Sequence, residues 1–454
     1  MENPTSFRDR VSTVDASGHR VWIFPKKPKG SYYSLRTLWS YFQLILLFTA
    51  PFISINGKPL ILLDILQRRF VIFGVTFWPH DFFILGLVVI SFIVLIILFT
   101  TIYGRIWCGW LCPQTVFLEM LFRKIEYFID GDSIAQKRLM SAPWNAEKTK
   151  KRITKHSIYI LLSFVMGNVF LAYFIGKDAL LEIITDPPSQ HIVGLSIMIL
   201  FSLTFYWIYA YFREQACCFL CPYARLQSVL LDDNSIGVIY DHVRGETRGK
   251  RNTGSGDCID CNLCQAVCPT GIDIRNGSPQ LECIQCTACM DACDHVMTKR
   301  KKPKGLIKYA SQNMIDNNSK FKVTTRIILY TTILALLFSA IFFLIVTRRE
   351  VETTLIRNRG SVAIMMGDKV TNLYSAKILN KTSQPIQYEL KLQGNGDLDF
   401  TGGVKTIQPE SNDQASFFVK LPKETVKSGK NKINIDVYIN GELAETLETS
   451  FLGI

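Results

Sequence analysis

The chain has 454 residues, of which 48 % are hydrophobic, and carries a formal net charge of +13 with a mean hydropathy of +0.18. The length allows several domains and the apolar content points to a membrane. The positive charge does not mark a nucleic-acid binder. It gathers in runs such as KTKKR at 148–152 and KRKKPK at 299–304 that flank apolar segments, where it suits anionic headgroups, and no aromatic-interleaved basic motif is present.

In chain order, residues 1–35 are polar and basic, with neither a short apolar core nor a small-residue cleavage site, so no cleavable signal peptide is read there. Five uncharged apolar stretches are long enough to span a bilayer, at about 37–55, 82–104, 156–176, 187–212 and 327–347. Pro51 predicts a kinked or frayed end to the first. Residues 60–80 are apolar but interrupted by Asp64, Arg68 and Arg69, and are read as lying at the interface or packed on the spans.

Charge sets the expected orientation. Lys and Arg number six in 1–35, ten in 103–156 and 15 in 213–322, against three in 56–80 and one in 177–190. The positive-inside rule then places the N-terminus and the 103–156 and 213–322 segments in the cytosol, and five spans leave the C-terminus outside.

Two segments within the membrane part resemble each other. Residues 107–118 read WCGWLCPQTVFL and residues 216–227 read ACCFLCPYARLQ. Aligning Cys108 with Cys217 and Cys112 with Cys221 repeats CxxLCP after 109 residues, each copy at the end of a two-span hairpin. A parallel internal repeat would bring the two Cys pairs together at one depth. Pro113 and Pro222 each predict the start of a helix, which puts Cys112 and Cys221 at helix N-termini where the dipole lowers a thiol pKa. The candidate roles for Cys108, Cys112, Cys217 and Cys221 are a soft-metal site, a redox disulfide or a further cluster. Cys218 has no counterpart and is read as core, with a spare ligand as the alternative.

Eight further cysteines form two copies of CxxCxxCxxxC: Cys258, Cys261, Cys264 and Cys268, then Cys283, Cys286, Cys289 and Cys293. In two-cluster ferredoxins the fourth cysteine of each run ligates the other cluster. One [4Fe–4S] cluster is therefore expected on Cys258, Cys261, Cys264 and Cys293, and the other on Cys283, Cys286, Cys289 and Cys268. Zinc favours separated CxxC pairs or mixed Cys/His sets, and disulfides need an oxidising compartment, so both fit less well. Asp294 stands where proline commonly follows the last cysteine, a change expected to weaken a turn. Met290 and Met297 are read as packing, His295 as tuning or solvating the adjacent cluster, and His80 and His191 as interfacial. His19, His156 and His242 carry no readable motif.

Residues 348–454 lack cysteine. Segments 373–379, 386–392, 415–421 and 432–439 alternate apolar and polar residues between turn signals, so about seven strands in an immunoglobulin-like sandwich are expected. Asn380–Lys381–Thr382 matches a glycosylation sequon fortuitously.

The order of hairpin, WCGWLCPQTVFLEM, hairpin, CxxxCP, double ferredoxin run, fifth span and sandwich resembles the CcoG (FixG/RdxA) family of cytochrome oxidase accessory proteins. The resemblance covers nearly the whole chain. It implies a multi-domain membrane protein: a cytosolic segment (1–35), a four-span domain with both CxxxCP motifs (36–235), a bacterial-type ferredoxin module (236–322), a fifth span (323–347) and a periplasmic immunoglobulin-like domain (348–454), in a bacterial inner membrane. It implies two [4Fe–4S] clusters and reduction of Cu(II) to Cu(I) for assembly of cbb3-type oxidase, with Cys108, Cys112, Cys217 and Cys221 holding copper. Implied partners are oxidase assembly factors or a copper chaperone or transporter, a cytosolic electron donor, the lipid bilayer and a second copy of the chain as homodimer, with no nucleic acid. Alternatives of other classes are a quinol dehydrogenase, as in the membrane ferredoxin subunit of periplasmic nitrate reductase, and a non-redox assembly scaffold.

Overall fold

The computed structural model describes residues 12–15, 17–55, 57–65, 69–77, 82–249, 256–277, 280, 282–347, 351–357, 363–382, 384–400, 404–409 and 411–453. Arg68 and His80 lie outside the described residues. The chain divides into two compact units, Met1–Ile341 and Phe342–Ile454.

Within the described residues four helices are long and apolar enough to cross a membrane: Phe82–Tyr103, Ala146–Ile175, Ile192–Phe212 and Thr325–Val346. They are rich in Leu, Ile and Phe, several of their Ser and Thr hydroxyls donate to carbonyls one turn back, and a helix satisfies its own backbone where water is absent. The Ala146–Ile175 helix starts ten residues before the expected span. Asn145 caps it by accepting from Lys148 N at 2.8 Å, and the basic KTKKR run forms its first turns. Gly176, at φ +84°, ends it.

The first expected span is not among the four. The helix there covers Ser31–Thr49, and Pro51 falls in the 3-10 turn Ala50–Phe52 that follows. It begins early because the Asp291 carboxylate accepts from Tyr32 N at 3.2 Å and Tyr33 N at 2.8 Å, supplying partners for orphan N–H groups. Arg36 is buried, its Nε donating to Gly109 O at 2.7 Å. The interrupted apolar stretch at 60–80 contains a three-stranded antiparallel sheet, Ile61–Asp64, Arg69–Ile72 and Val75–Phe77, whose first strand packs on the Ala146–Ile175 helix.

The repeat read from CxxLCP extends to the backbone. Gly104 (φ +59°) and Arg213 (φ +53°) stand four residues before Cys108 and Cys217. Cys112 (φ −67°, ψ 121°) and Cys221 (φ −71°, ψ 107°) are both extended N-caps followed by proline at the first helical position. In the second copy arginine takes the left-handed position that glycine fills in the first. It is held there by a buried network: Arg213 Nη2 donates to Glu126 Oε2 at 2.5 Å, and Glu126 and Asp130 also pair with Lys155 at 3.6 and 2.5 Å.

The ferredoxin region is framed by two antiparallel strands, Gly237–Tyr240 and Ile307–Ala310. Its two cysteine runs share one backbone device. Asp260 and Asn262 in the first, and Gln285 and Thr287 in the second, lie at φ +49° to +64°, two and four residues after the leading cysteine. These left-handed residues curl each CxxCxxC segment around a centre; Asn and Asp tolerate that conformation, whereas Gln and Thr adopt it at a cost. Met290 and Met297 are buried in the surrounding core. Asp294 does not end a turn. It sits inside the Ala288–Lys299 helix, where proline would break the ladder, and its Oδ1 accepts from Gly305 N at 2.9 Å.

The second unit is an all-antiparallel sandwich of two sheets. One orders Asp397–Phe400, Asn412–Pro422, Lys369–Asn380 and Val351–Arg357, with Ile364–Met366 also paired to Lys369–Asn380. The other orders Lys405–Ile407, Ile386–Leu392, Gly429–Ile439 and Glu442–Gly453. The period-two residues Tyr374, Phe417, Ile435, Val437 and Phe451 fill the space between the sheets without exposure. Asn380 is fully buried: Oδ1 accepts from Thr382 N at 2.9 Å, and Nδ2 donates to Gln384 O at 2.8 Å. That side chain is a turn staple, not an exposed glycan acceptor.

Candidate functional site: two thiol-lined cavities and a paired-cysteine junction

The curled CxxCxxC segments enclose two neighbouring cavities. One is lined by Cys258, Cys261, Cys264 and Cys293 with apolar walls from Leu263, Val296 and Leu306. The other is lined by Cys268, Cys283, Cys286 and Cys289, and Cys264 also reaches its wall. The fourth cysteine of each run thus faces the cavity formed by the other run. Among the described residues no three His, Cys, Asp or Glu side chains converge on a single-ion position. Thiols spread around an apolar void fit a cubane, which offers a separate iron to each, better than a mononuclear zinc.

Charged and polar residues brace these cavities. Arg275 lines the first one and is held by Asp260 and Asp273, each at 2.6 Å. Thr270 Oγ1 lies 3.3 Å from Cys268 Sγ. Burial pushes the Cys264 and Cys293 thiols up to about 12, so ionisation there requires a bound cationic centre.

The first CxxxCP loop packs directly on the second cysteine run. Cys108 shares one apolar cluster with Ile284 and Cys286. Trp110 Nε1 donates to Gln285 O at 3.3 Å, and Gly109 leaves no room for a Cβ against the Ile284–Cys286 backbone. Between the two motifs sits Arg105, 2 % exposed, with Nη2 3.9 Å from Cys108 Sγ and its charge also felt at Cys218 and Cys283. No ion-pair partner is found for it among the described residues.

The four motif thiols lie within electrostatic reach of one another, as the repeat predicts. Cys217 feels Cys112, Cys108 and Cys221, and Cys108 feels Cys112 and Cys221. They do not form a three-ligand site for one ion. Cys108 Sγ donates to Gln227 Oε1 at 3.0 Å, and Gln227 Nε2 donates to Thr100 Oγ1 at 3.2 Å, so a helix of the second copy positions a thiol of the first.

The expected lowering of the Cys112 pKa at its helix N-terminus does not occur. Burial raises it and outweighs the bonds from Thr115 and Gln114 N–H, and burial pushes Cys108 up to about 11. These thiols are neutral until a soft cation displaces the proton. Cys218 is not simple core filling: it is half-buried and its charge environment includes Glu282, Arg105 and Cys268, on the ferredoxin side.

Three of the described histidines have partners of their own. His191 pairs with Asp186 at 3.0 Å, His242 with Asp316 at 3.1 Å, and His156 Nδ1 lies 2.9 Å from Tyr206 OH. His295 is exposed on the Ala288–Lys299 helix. Sequence reasoning missed Arg105, Gln227 and Arg275. Arg105 stands in the GRIWCGW string but has no ligand chemistry of its own, and Gln227 becomes a partner only once the repeat folds.

Comparison with known proteins identifies the cysteine-bearing segments and the C-terminal unit by family. Residues 212–312 match a "4Fe-4S dicluster domain", residues 85–130, which include Cys108 and Cys112, match a "4Fe-4S binding domain", and residues 341–453 match an "IG-like fold at C-terminal of FixG". Protein RdxA of Cereibacter sphaeroides is 34 % identical over 84 % of each chain. Nitrogen fixation protein FixG of Rhizobium meliloti is 32 % identical over 88 % of this chain and 86 % of its own. The crystal structure of a FixG-related protein from Vibrio parahaemolyticus aligns with 23 % of this chain and 97 % of its own, at 20 % identity and a TM-score of 0.21.

Proposed function

The chain belongs to the FixG/RdxA family of membrane iron–sulfur oxidoreductases, and from that premise we propose that it reduces Cu(II) to Cu(I) for assembly of a cbb3-type cytochrome oxidase. The observation that carries this reading is the packing of the Cys108 loop on the Ile284–Cys286 run, which brings copper-selective thiols against a cluster cavity. When bound, the two [4Fe–4S] clusters supply single electrons, and Cu(II) needs one. Cys258, Cys261, Cys264 and Cys293 hold one cluster; Cys283, Cys286, Cys289 and Cys268 hold the other.

Cys108, Cys112, Cys217 and Cys221 bind the copper, because thiolates favour Cu(I) over harder ions. Buried neutral thiols give up their protons to the incoming cation, so an empty site adds no uncompensated charge to the protein interior. Arg105 supplies fixed positive charge beside the negatively charged sulfur ligands. The thiols and clusters face the cytosol of a bacterial inner membrane, in keeping with the basic flanking segments, and the sandwich serves partner docking.

The test is the double substitution Cys108→Ser plus Cys112→Ser in anaerobically purified protein. Cu(I) formation, followed with a cuprous chelator, falls to background while iron content and cluster EPR stay intact. An unaltered cupric reduction rate with intact clusters refutes the assignment.

A further inference from the structure

A cavity of about 520 Å³ opens at the end of the membrane helices that carries the paired cysteines. Its walls are aromatic, with Trp22 from the N-terminal segment, Tyr159 from the Ala146–Ile175 helix, and Tyr206 and Trp207 from the helix ending at Phe212. Trp207 is 47 % exposed, so this wall of the cavity reaches the outer surface of that helix. His156 Nδ1, 2.9 Å from Tyr206 OH, and Arg152 are polar points on the lining.

We propose that this cavity binds the ring of a membrane quinol. Flat aromatic walls with a few hydrogen-bonding groups suit a planar dioxygenated ring. Of the lining cations, Lys155 and Arg213 are already neutralised by Asp130, Glu126 and Glu214, which leaves only Arg152 to meet a phosphate, so a phospholipid headgroup is less suited.

Position supplies the second argument. Tyr159, on the cavity wall, lies edge-on to Phe122 at 4.8 Å, and Phe122 stacks on Tyr209 at 4.6 Å with 7° between the rings. Tyr209 is within electrostatic reach of Cys112 and Cys217. A packed aromatic column therefore runs from the cavity wall toward the paired thiols. Resting on the copper reading above, the balance is one hydroquinone plus two Cu(II) giving one quinone, two Cu(I) and two protons. Both phenolic O–H bonds break, the two electrons reach the two cupric ions in turn by this second entry, separate from the route through the clusters, and the protons pass to water, the first by way of His156.

The test uses the full-length holoprotein in nanodiscs of phosphatidylethanolamine and phosphatidylglycerol, photolabelled with an azido-substituted decyl benzoquinone. Label is expected within residues 20–24 or 203–213, displaced by decylubiquinone, and reduced about tenfold in His156→Ala and about threefold in Tyr206→Phe, with iron content checked in both. Label elsewhere, displacement by added phosphatidylglycerol but not by decylubiquinone, or equal labelling of both well-folded variants overturns the proposal. A parallel cupric assay with dithionite-reduced protein separates the two readings. Cu(I) formation without specific labelling defeats the cavity assignment alone, whereas specific labelling without Cu(I) formation upholds the cavity and defeats the copper reading.

Discussion

Gly109→Ala tests the contact on which the electron route depends. Gly109 lies in the short helix Ile106–Trp110, and a Cβ there would fall 3.1 Å from Gln285 C and 3.2 Å from Cys286 Cα, with the Ile284 carbonyl oxygen closer still. All three neighbours are backbone, so none can rotate away. Relief requires one loop to retreat from the other by about 1 Å, and overpacking of this kind costs about 1–3 kcal/mol. Helix propensity pulls the other way, since alanine gains up to about 1 kcal/mol over glycine in a helix interior. The two effects differ in sign, which makes the measurement decisive. With rigid backbone on the receiving side, a net loss of about 1–2 kcal/mol is expected.

The assay is thermal unfolding of the holoprotein, together with EPR of the reduced protein. Gly86→Ala is the matched control, because nothing lies within 4 Å of its added Cβ in the Phe82–Tyr103 helix. Gly86→Ala should leave the midpoint unchanged or higher, and Gly109→Ala should lower it by several degrees and alter the EPR signal of one cluster. An equal or raised midpoint for Gly109→Ala with unaltered EPR refutes the packing argument.

Two further outcomes follow from charges near the cavities. Arg105→Gln removes a buried cation beside Cys108 and Cys283, so adding an electron nearby becomes harder; a redox titration should show one cluster shifted to lower potential with iron content retained. Although burial raises the Asp273 carboxyl, its bonds to Arg275 prevail and hold it below the usual 3.8. Its stabilising contribution is therefore complete above that value and lost as pH falls through the lower, folded-state pKa. Asp273→Asn should flatten the acid limb of iron release below about pH 4, and an unchanged limb would refute the role given to the Asp273–Arg275 pair.

Much of the site was legible because ligand spacing is written along the chain. The CxxCxxCxxxC runs announce two clusters, and the 109-residue repeat announces that the thiol pairs meet. Period-two alternation likewise announced the sandwich. What eluded sequence reasoning depends on contacts between distant segments. The Ser31–Thr49 helix starts where Asp291, some 260 residues away, caps it, which no local pattern encodes. The same holds for Cys112, whose helix-end position was visible but whose burial, the stronger influence, was not. Asp294 was misread because a helix continuing to Lys299 depends on how the Ala288–Lys299 segment packs, not on the motif beside it.

Arg213 adopts a backbone conformation that an L-residue resists, and Glu126, from the earlier half of the chain, helps to hold it. Gly104 needs no such help. The later bend therefore leans on a carboxylate from the earlier half of the chain, which is synthesised before it. The duplicated halves have become template and copy, and a chain circularly permuted to make the later half first would insert its Arg213 bend before the group that secures it existed.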